Sequence, residues 1–146
     1  MRTAYTIKWI PKEKLKSILP LAYILNRETV PMELLESRLA EMIPMGYKCI
    51  GVYDQKELIG ICGVWVLNKL YVGKHVEPDN VIISPEYQGK GIGELMMQFL
   101  NDYAKEMNCE TAEVNCYIKN ERGKKFWESH GYVPLGYHLI KRLKDE

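Results

Sequence analysis

Two carboxylates, Glu77 and Asp79, stand shortly ahead of a glycine-rich run, Gln88-Gly89-Lys90-Gly91-Ile92-Gly93. The run follows the apolar stretch Val81-Ile82-Ile83 and opens a strongly periodic segment. A strand, a glycine turn and a helix start together gather backbone N–H groups around an anion. The first N–H groups of a helix lack internal acceptors, and the helix dipole favours negative charge there. Glycine lets backbone approach a ligand with no Cβ in the way. The chemistry on offer is phosphate binding at the loop, with proton acceptance by the acidic pair upstream.

Three phosphate loops compete for the run. A nucleotide-triphosphate loop needs Lys-Ser/Thr at its end, whereas Gly93 is followed by Glu94-Leu95. A dinucleotide fingerprint needs another glycine three positions after Gly93, where Met96 stands. The third pattern, Gln/Arg-x-x-Gly-x-Gly/Ala, is met at Gln88, Gly91 and Gly93. On these residues the chain resembles the coenzyme A pyrophosphate loop of the GNAT superfamily of N-acyltransferases. The alternative is a glycine-rich helix start without a ligand.

A second segment carries the same resemblance. Asn120 to Tyr132 contains a capping Asn, a small residue, the aromatic pair Phe126-Trp127 and a Gly131-Tyr132 end, similar to the closing motif of that family. The resemblance implies acetyl-CoA as cosubstrate. It assigns the cofactor to the backbone of Ile82 and Ile83, to Gln88, Gly89, Lys90, Gly91, Ile92 and Gly93, and to Asn120 and Trp127. Lys119, Lys124 and Lys125 join Lys90 as candidates for its phosphates, or form a solvated lysine face. Ile82 and Ile83 also read as core, and Asn120 as a helix cap.

The implied reaction is direct transfer of an acetyl group to a primary amine of a small metabolite or peptide, in a ternary complex. Glu77 lies at the spacing of the catalytic glutamate in histone-type members. Asp79, on the same strand face, matches an acidic position in sugar-phosphate acetyltransferase members. Either can take the amine's proton; pairing with a lysine such as Lys74 is the plainer alternative. A backbone N–H at Ile83 is the candidate donor to the thioester carbonyl. Many members carry a tyrosine acid where this chain has Trp127, whose indole N–H is not acidic. Tyr117, Tyr132 or solvent is left to protonate the thiolate. A non-catalytic acyl-CoA-binding module is therefore the rival expectation.

These residues need a scaffold, and the pattern supplies one. Residues 5–10 alternate as a strand. A helical stretch follows Pro11, interrupted at Pro20, and a second follows Pro31. Strands are expected at 48–53, 58–67 and 77–84. Pro78 weakens the regularity of the last. Ile92, Leu95, Met96, Phe99, Leu100, Tyr103 and Met107 mark one apolar helix face. Ala112, Val114 and Cys116 alternate as a strand, Asn120 starts a last helix, and 132–143 is expected to give one or two closing strands. The expected class is α/β (α+β): one GNAT-like domain over 1–146, with a mixed central sheet flanked by about four helices.

Composition bounds the rest. At 146 residues and net charge +1, the chain fits one substantial core and gives no electrostatic reason to expect nucleic acid. No segment is long and apolar enough to span a membrane, and residues 1–3 are not followed by a signal-like stretch, so a cytoplasmic setting is expected. Cys49, Cys62, Cys109 and Cys116 form no C-x-x-C pair and have no metal-ligand spacing with His75, His130 and His138; buried thiols and no metal are expected. The acceptor pocket implied by the resemblance draws on Tyr23, Asn26, Arg27, Glu28, Glu33, Tyr137 and His138, with charges of both signs. Trp65 floors that pocket or is an ordinary core residue. A homodimer is common in the family, and no feature of this chain demonstrates one.

Overall fold

A computed structural model describes residues 4–144. The expectation for residues 1–3 lies outside the described residues. Two compact units are distinguished, residues 1–113 and residues 114–146. The first holds a five-stranded sheet in the order β1-β2-β3-β4-β5: β1 Thr6–Trp9, β2 Lys48–Asp54, β3 Glu57–Lys69, β4 Gly73–Ile83 and β5 Thr111–Ala112. The first four strands pair antiparallel, and β4 pairs with β5 in parallel. The mixed α/β architecture anticipated from the sequence is the one observed.

Proline punctuates the helices where expected. Residues Lys12–Ile18 form a 3-10 segment, and α1, Leu19–Leu25, starts with Pro20 in its first turn, where its missing N–H has no intrahelical role. Pro31 stands at the N-cap of α2, Met32–Met42. Gly46 then turns the chain at φ 106° into β2. α3, Ile92–Glu106, is the longest helix described; its buried Ile92, Met96 and Leu100 fall on the predicted face, whereas Met97, not named there, is buried and Leu95, named there, is exposed. It packs on β1, β2 and β4. Trp9 of β1 meets Phe99 and Tyr103 of α3 edge-on, with ring centroids 5.5 and 4.7 Å apart.

The two sheet faces follow from alternation. Tyr47, Cys49, Ile61 and Trp65 pack with Leu15, Leu19, Leu21 and Leu39 from the helices between β1 and β2. Ile50, Val52, Val64 and Val76 alternate with these to the opposite face and are equally buried.

β4 begins at Gly73, four residues before the expected start, because the hairpin with β3 extends to the pair Lys69↔Gly73. β5 is shorter than expected and stops at Ala112. In the second unit, α4 runs Glu121–Ser129, and Asn120 caps it by accepting the N–H of Gly123 at 2.9 Å. Gly131 ends it at φ 91°. The closing strands expected at 132–143 are not present: that stretch has no strand among the described residues. Its alternating apolar side chains, Val133, Leu135, Tyr137 and Leu139, are all exposed. Alternation prepares a segment for a sheet but does not supply the neighbouring strand it must bond.

Candidate active site

β4 carries the site, and its geometry turns on where its neighbours stop. Pairing with β5 involves only His75↔Thr111 and Val76↔Ala112, extended by one bond from the N–H of Glu113 to the carbonyl of Val76 at 3.0 Å. Beyond Val76, β4 continues to Ile83 with its outer edge unpaired by β5. Such an edge can accept a linear amide chain through main-chain bonds. Pro78 sits in this stretch. The carbonyls of Lys74 and Val76 face β5, so by alternation the missing N–H of Pro78 falls on the same open edge and interrupts no bond to β3.

A bulge then changes which residues face out. The register passes from Gly63↔Asp79 to Ile61↔Ile82, leaving one extra residue on β4, and Asn80 adopts φ 61°. Asn tolerates this left-handed conformation better than most side chains. The N–H of Ser84 donates to the carbonyl of Ile59 at 2.7 Å. Ile82 therefore also directs its backbone to β3, while the N–H and carbonyl of Ile83 face the open edge. Of the two isoleucines named from the sequence, Ile83 offers its backbone and Ile82 offers core packing against the α1–α2 side.

The two acidic residues have different surroundings. Register pairs Trp65↔Glu77 and Gly63↔Asp79, so both carboxylates share the sheet face despite Pro78. Asp79 accepts the indole N–H of Trp65 at 2.9 Å. Beside it, Asn80 donates to the hydroxyl of Tyr47 at 3.2 Å. Gly63 makes this packing possible: a Cβ there would lie 2.2 Å from the Tyr47 hydroxyl and 2.3 Å from the Asp79 carbonyl. Burial raises the Tyr47 phenol well above its ordinary range and pushes the Cys49 thiol up to about 12. Tyr47 is thus a neutral hydrogen-bonding wall, and Cys49 an inert thiol. Neither Tyr47 nor Asn80 was singled out from the sequence. Asp-Asn inside an apolar strand was the available signal for the bulge.

The loop between β4 and α3 is built for close approach. Pro85–Tyr87 form a single 3-10 turn, and Gln88 donates from its side chain to the Ile83 carbonyl at 3.1 Å. Gly89 and Gly91 take φ 78° and 80°, and a Cβ built on either meets nothing within 4 Å. The space before the loop is open, and positive φ is what demands glycine. Gly91 is the N-cap of α3 and brings no side-chain acceptor to its first turn. Gly93 is buried within that turn. Tyr87 donates to Asp54 at 2.6 Å, and the Lys90 ammonium lies 5.7 Å from the Tyr87 ring centre.

Strand edge, tethering glutamine and glycine-capped helix are contiguous in the first unit. The sequence matches the model of the acetyltransferase (GNAT) family over residues 12–132. The chain belongs to that family. Among relatives of this GNAT chain is the glucosamine 6-phosphate N-acetyltransferase of Arabidopsis thaliana, 24% identical over 96 residues, or 64% of this chain and 62% of that one. The chain's matches span about half to three fifths of the length of the curated relatives. Its fold is similar to that of the ribosomal-protein-alanine N-acetyltransferase of Brucella melitensis biovar Abortus 2308, with a TM-score of 0.80 at 18% identity, covering 97% of this chain and 100% of that one. It is also similar to a predicted acetyltransferase from Clostridium acetobutylicum solved with acetyl-CoA, with a TM-score of 0.76 at 14% identity, covering 96% and 97%.

Other sequence-named residues of this GNAT protein divide between the units. Asn120 and Trp127 lie in the second. Trp127 is buried and stacks edge-on with Phe126 and Tyr132, at 5.1 Å from each ring. In the first, Arg27 and Glu28 occupy consecutive left-handed conformations, φ 56° and 58°, between α1 and α2. Non-glycine residues rarely take that conformation. Among the described residues, no helix is long and apolar enough to cross a membrane.

Proposed function

We propose that this chain transfers the acetyl group of acetyl-CoA to a primary amine, in a ternary complex without an acyl-enzyme. The observation that carries this reading is the open outer edge of β4 from Glu77 to Ile83, leading directly into the Gly91-capped start of α3. The pantetheine arm adds to that edge through main-chain bonds, and the pyrophosphate meets the N–H groups between Gln88 and Gly93. The N–H of Ile83 polarises the thioester carbonyl as negative charge develops on it.

An attacking amine must lose a proton. Glu77 is the better acceptor of the acidic pair, because one oxygen of Asp79 is already engaged by Trp65. Asp79 then holds Trp65 and the bulge in place. Asn120 and Trp127 of the second unit stay cofactor candidates on the family resemblance alone, as do Tyr117, Tyr132 and solvent for the thiolate's proton. The acceptor is a small metabolite or a peptide terminus, by analogy with the sugar phosphate and ribosomal protein named for its relatives. The cytoplasm is the expected setting.

The test is a thiol-release assay with acetyl-CoA over amino sugars, amino sugar phosphates, polyamines and short peptides. Release that requires both acetyl-CoA and one amine supports the proposal. Saturable binding of acetyl-CoA without release across that panel favours the binding-module alternative.

A further inference from the structure

We propose that His75, Glu77 and Glu113 form a binding site for one divalent transition metal, with zinc the ion best suited to its donors. One ligand atom from each residue lies within 4.8 Å of the other two, and no other such group occurs among the described residues. The backbone brings them together. His75 and Glu77 alternate onto one face of β4. The bond from the Glu113 N–H to the Val76 carbonyl continues the parallel register past Ala112 and sets Glu113 beside Glu77.

The independent observation is the state of His75. Its side chain is fully buried, at 0% exposure. Nδ1 lies 3.2 Å from the carbonyl of Gly73, an acceptor it can donate to while Nε2 binds a metal. Nε2 has no hydrogen-bond partner, and Glu113 Oε1, at 3.9 Å, is too distant for one. Nε2 is thus a buried imidazole nitrogen without a hydrogen-bond partner, beside the Glu113 carboxylate and in one group with Glu77. A cation resolves that arrangement. A backbone carbonyl holding the far nitrogen of a ligating imidazole is also a recurrent feature of metal centres.

Three other groups bear on the cluster. The Tyr71 hydroxyl donates to Glu113 Oε2, which leaves Oε1 turned towards His75. Lys69 Nζ lies 3.8 Å from the same Oε1 and is half exposed, so it competes for the carboxylate but can swing into solvent. Glu77 brings its own negative charge. One imidazole and two carboxylates suit zinc, with a fourth position left for water; magnesium and calcium prefer all-oxygen shells. Bonds of about 2.0–2.2 Å require the donors to draw in to roughly 3.3 Å from one another. Rotation of the two half-buried glutamates can supply that movement.

Zinc here would occupy the Glu77 carboxylate proposed above as the proton acceptor, so metal binding and acetyl transfer compete for it, and the test reads metal directly. Chelator-stripped protein is titrated calorimetrically with zinc chloride, and with cobalt chloride while recording visible absorption. One zinc per chain is expected, with a cobalt spectrum of low coordination number. His75→Gln and Glu113→Gln should each weaken binding at least about tenfold. Lys69→Gln, which removes the competing cation, should strengthen it. Glu113→Gln changes a half-buried side chain and keeps the test sound if the His75 variant does not fold. No saturable uptake by the wild type, or unchanged zinc affinity in folded Glu113→Gln, overturns the proposal; the latter assigns the metal to cysteines or other histidines.

Discussion

The side-chain amide of Gln88 donates to the main-chain carbonyl of Ile83 across 3.1 Å. One residue opens the glycine loop, and the other directs its backbone to the unpaired edge of β4. Their bond fixes the distance between the proposed pyrophosphate site and the proposed thioester site. Losing it should loosen the loop without disturbing the core, since Gln88 is exposed. A single such bond contributes about 0.5–1.5 kcal/mol net. Gln88→Ala is therefore expected to weaken acetyl-CoA binding by about two- to tenfold, with the melting temperature almost unchanged. Calorimetry beside thermal unfolding checks both halves of that statement.

Glu77 and Asp79 should separate in kinetics. General-base assistance is typically worth about 100- to 10,000-fold. Glu77→Gln is expected to lose kcat within that range while acetyl-CoA affinity holds. Asp79→Asn keeps an acceptor for the Trp65 indole and should cost less. Equal losses in the two variants, or a loss below a few-fold at Glu77, would remove Glu77 from the role.

Gly63 is fixed by packing. An added Cβ would press on the Tyr47 hydroxyl and the Asp79 carbonyl, and the latter is backbone that cannot step aside. Overpacking of this kind costs about 1–3 kcal/mol. Gly63→Ala should lower the urea midpoint accordingly. An unchanged midpoint would mean that the bulge at Asn80 shifts freely.

Thiols and pH give a test of the core. Burial raises Cys49 from 9.0 to about 12 and raises Cys62 and Tyr47 in the same direction. A folded pKa above the unfolded one favours the protonated, folded form. Its contribution is complete below about pH 9 and is lost as pH climbs towards 12. Unfolding free energy should thus fall across that alkaline window. At pH 8 the native protein should expose Cys109 and Cys116 to a thiol reagent, with Cys49 and Cys62 reacting only on unfolding. Rapid reaction of all four would contradict the buried placement.

Much of the scaffold was legible because local chemistry determined it. Pro20 marked the break between the 3-10 segment and α1, Pro31 the start of α2 and Gly131 the end of α4, and the face running from Ile92 to Leu100 declared α3. Gly89 and Gly91 were legible as room for a ligand, while their positive φ became visible only in the structure. Long-range pairing was less legible. The bulge at Asn80, which turns the Ile83 backbone outward, arises from the register between β3 and β4. Segment 132–143 has strand alternation but no strand, because pairing depends on a neighbour that alternation does not specify. The meeting of His75, Glu77 and Glu113 was hidden for a similar reason: β5 returns Glu113 to β4 from far along the chain.

The central claim is that the Gly91-capped start of α3 holds the phosphates of coenzyme A. Calorimetric titration of wild type and Gly91→Glu with acetyl-CoA tests it most directly. The space before Gly91 is open, so the variant should still fold, with some strain from its φ of 80°. Saturable binding by the wild type and none by folded Gly91→Glu is the predicted result. Equal affinity in the two proteins would contradict the assignment of this loop.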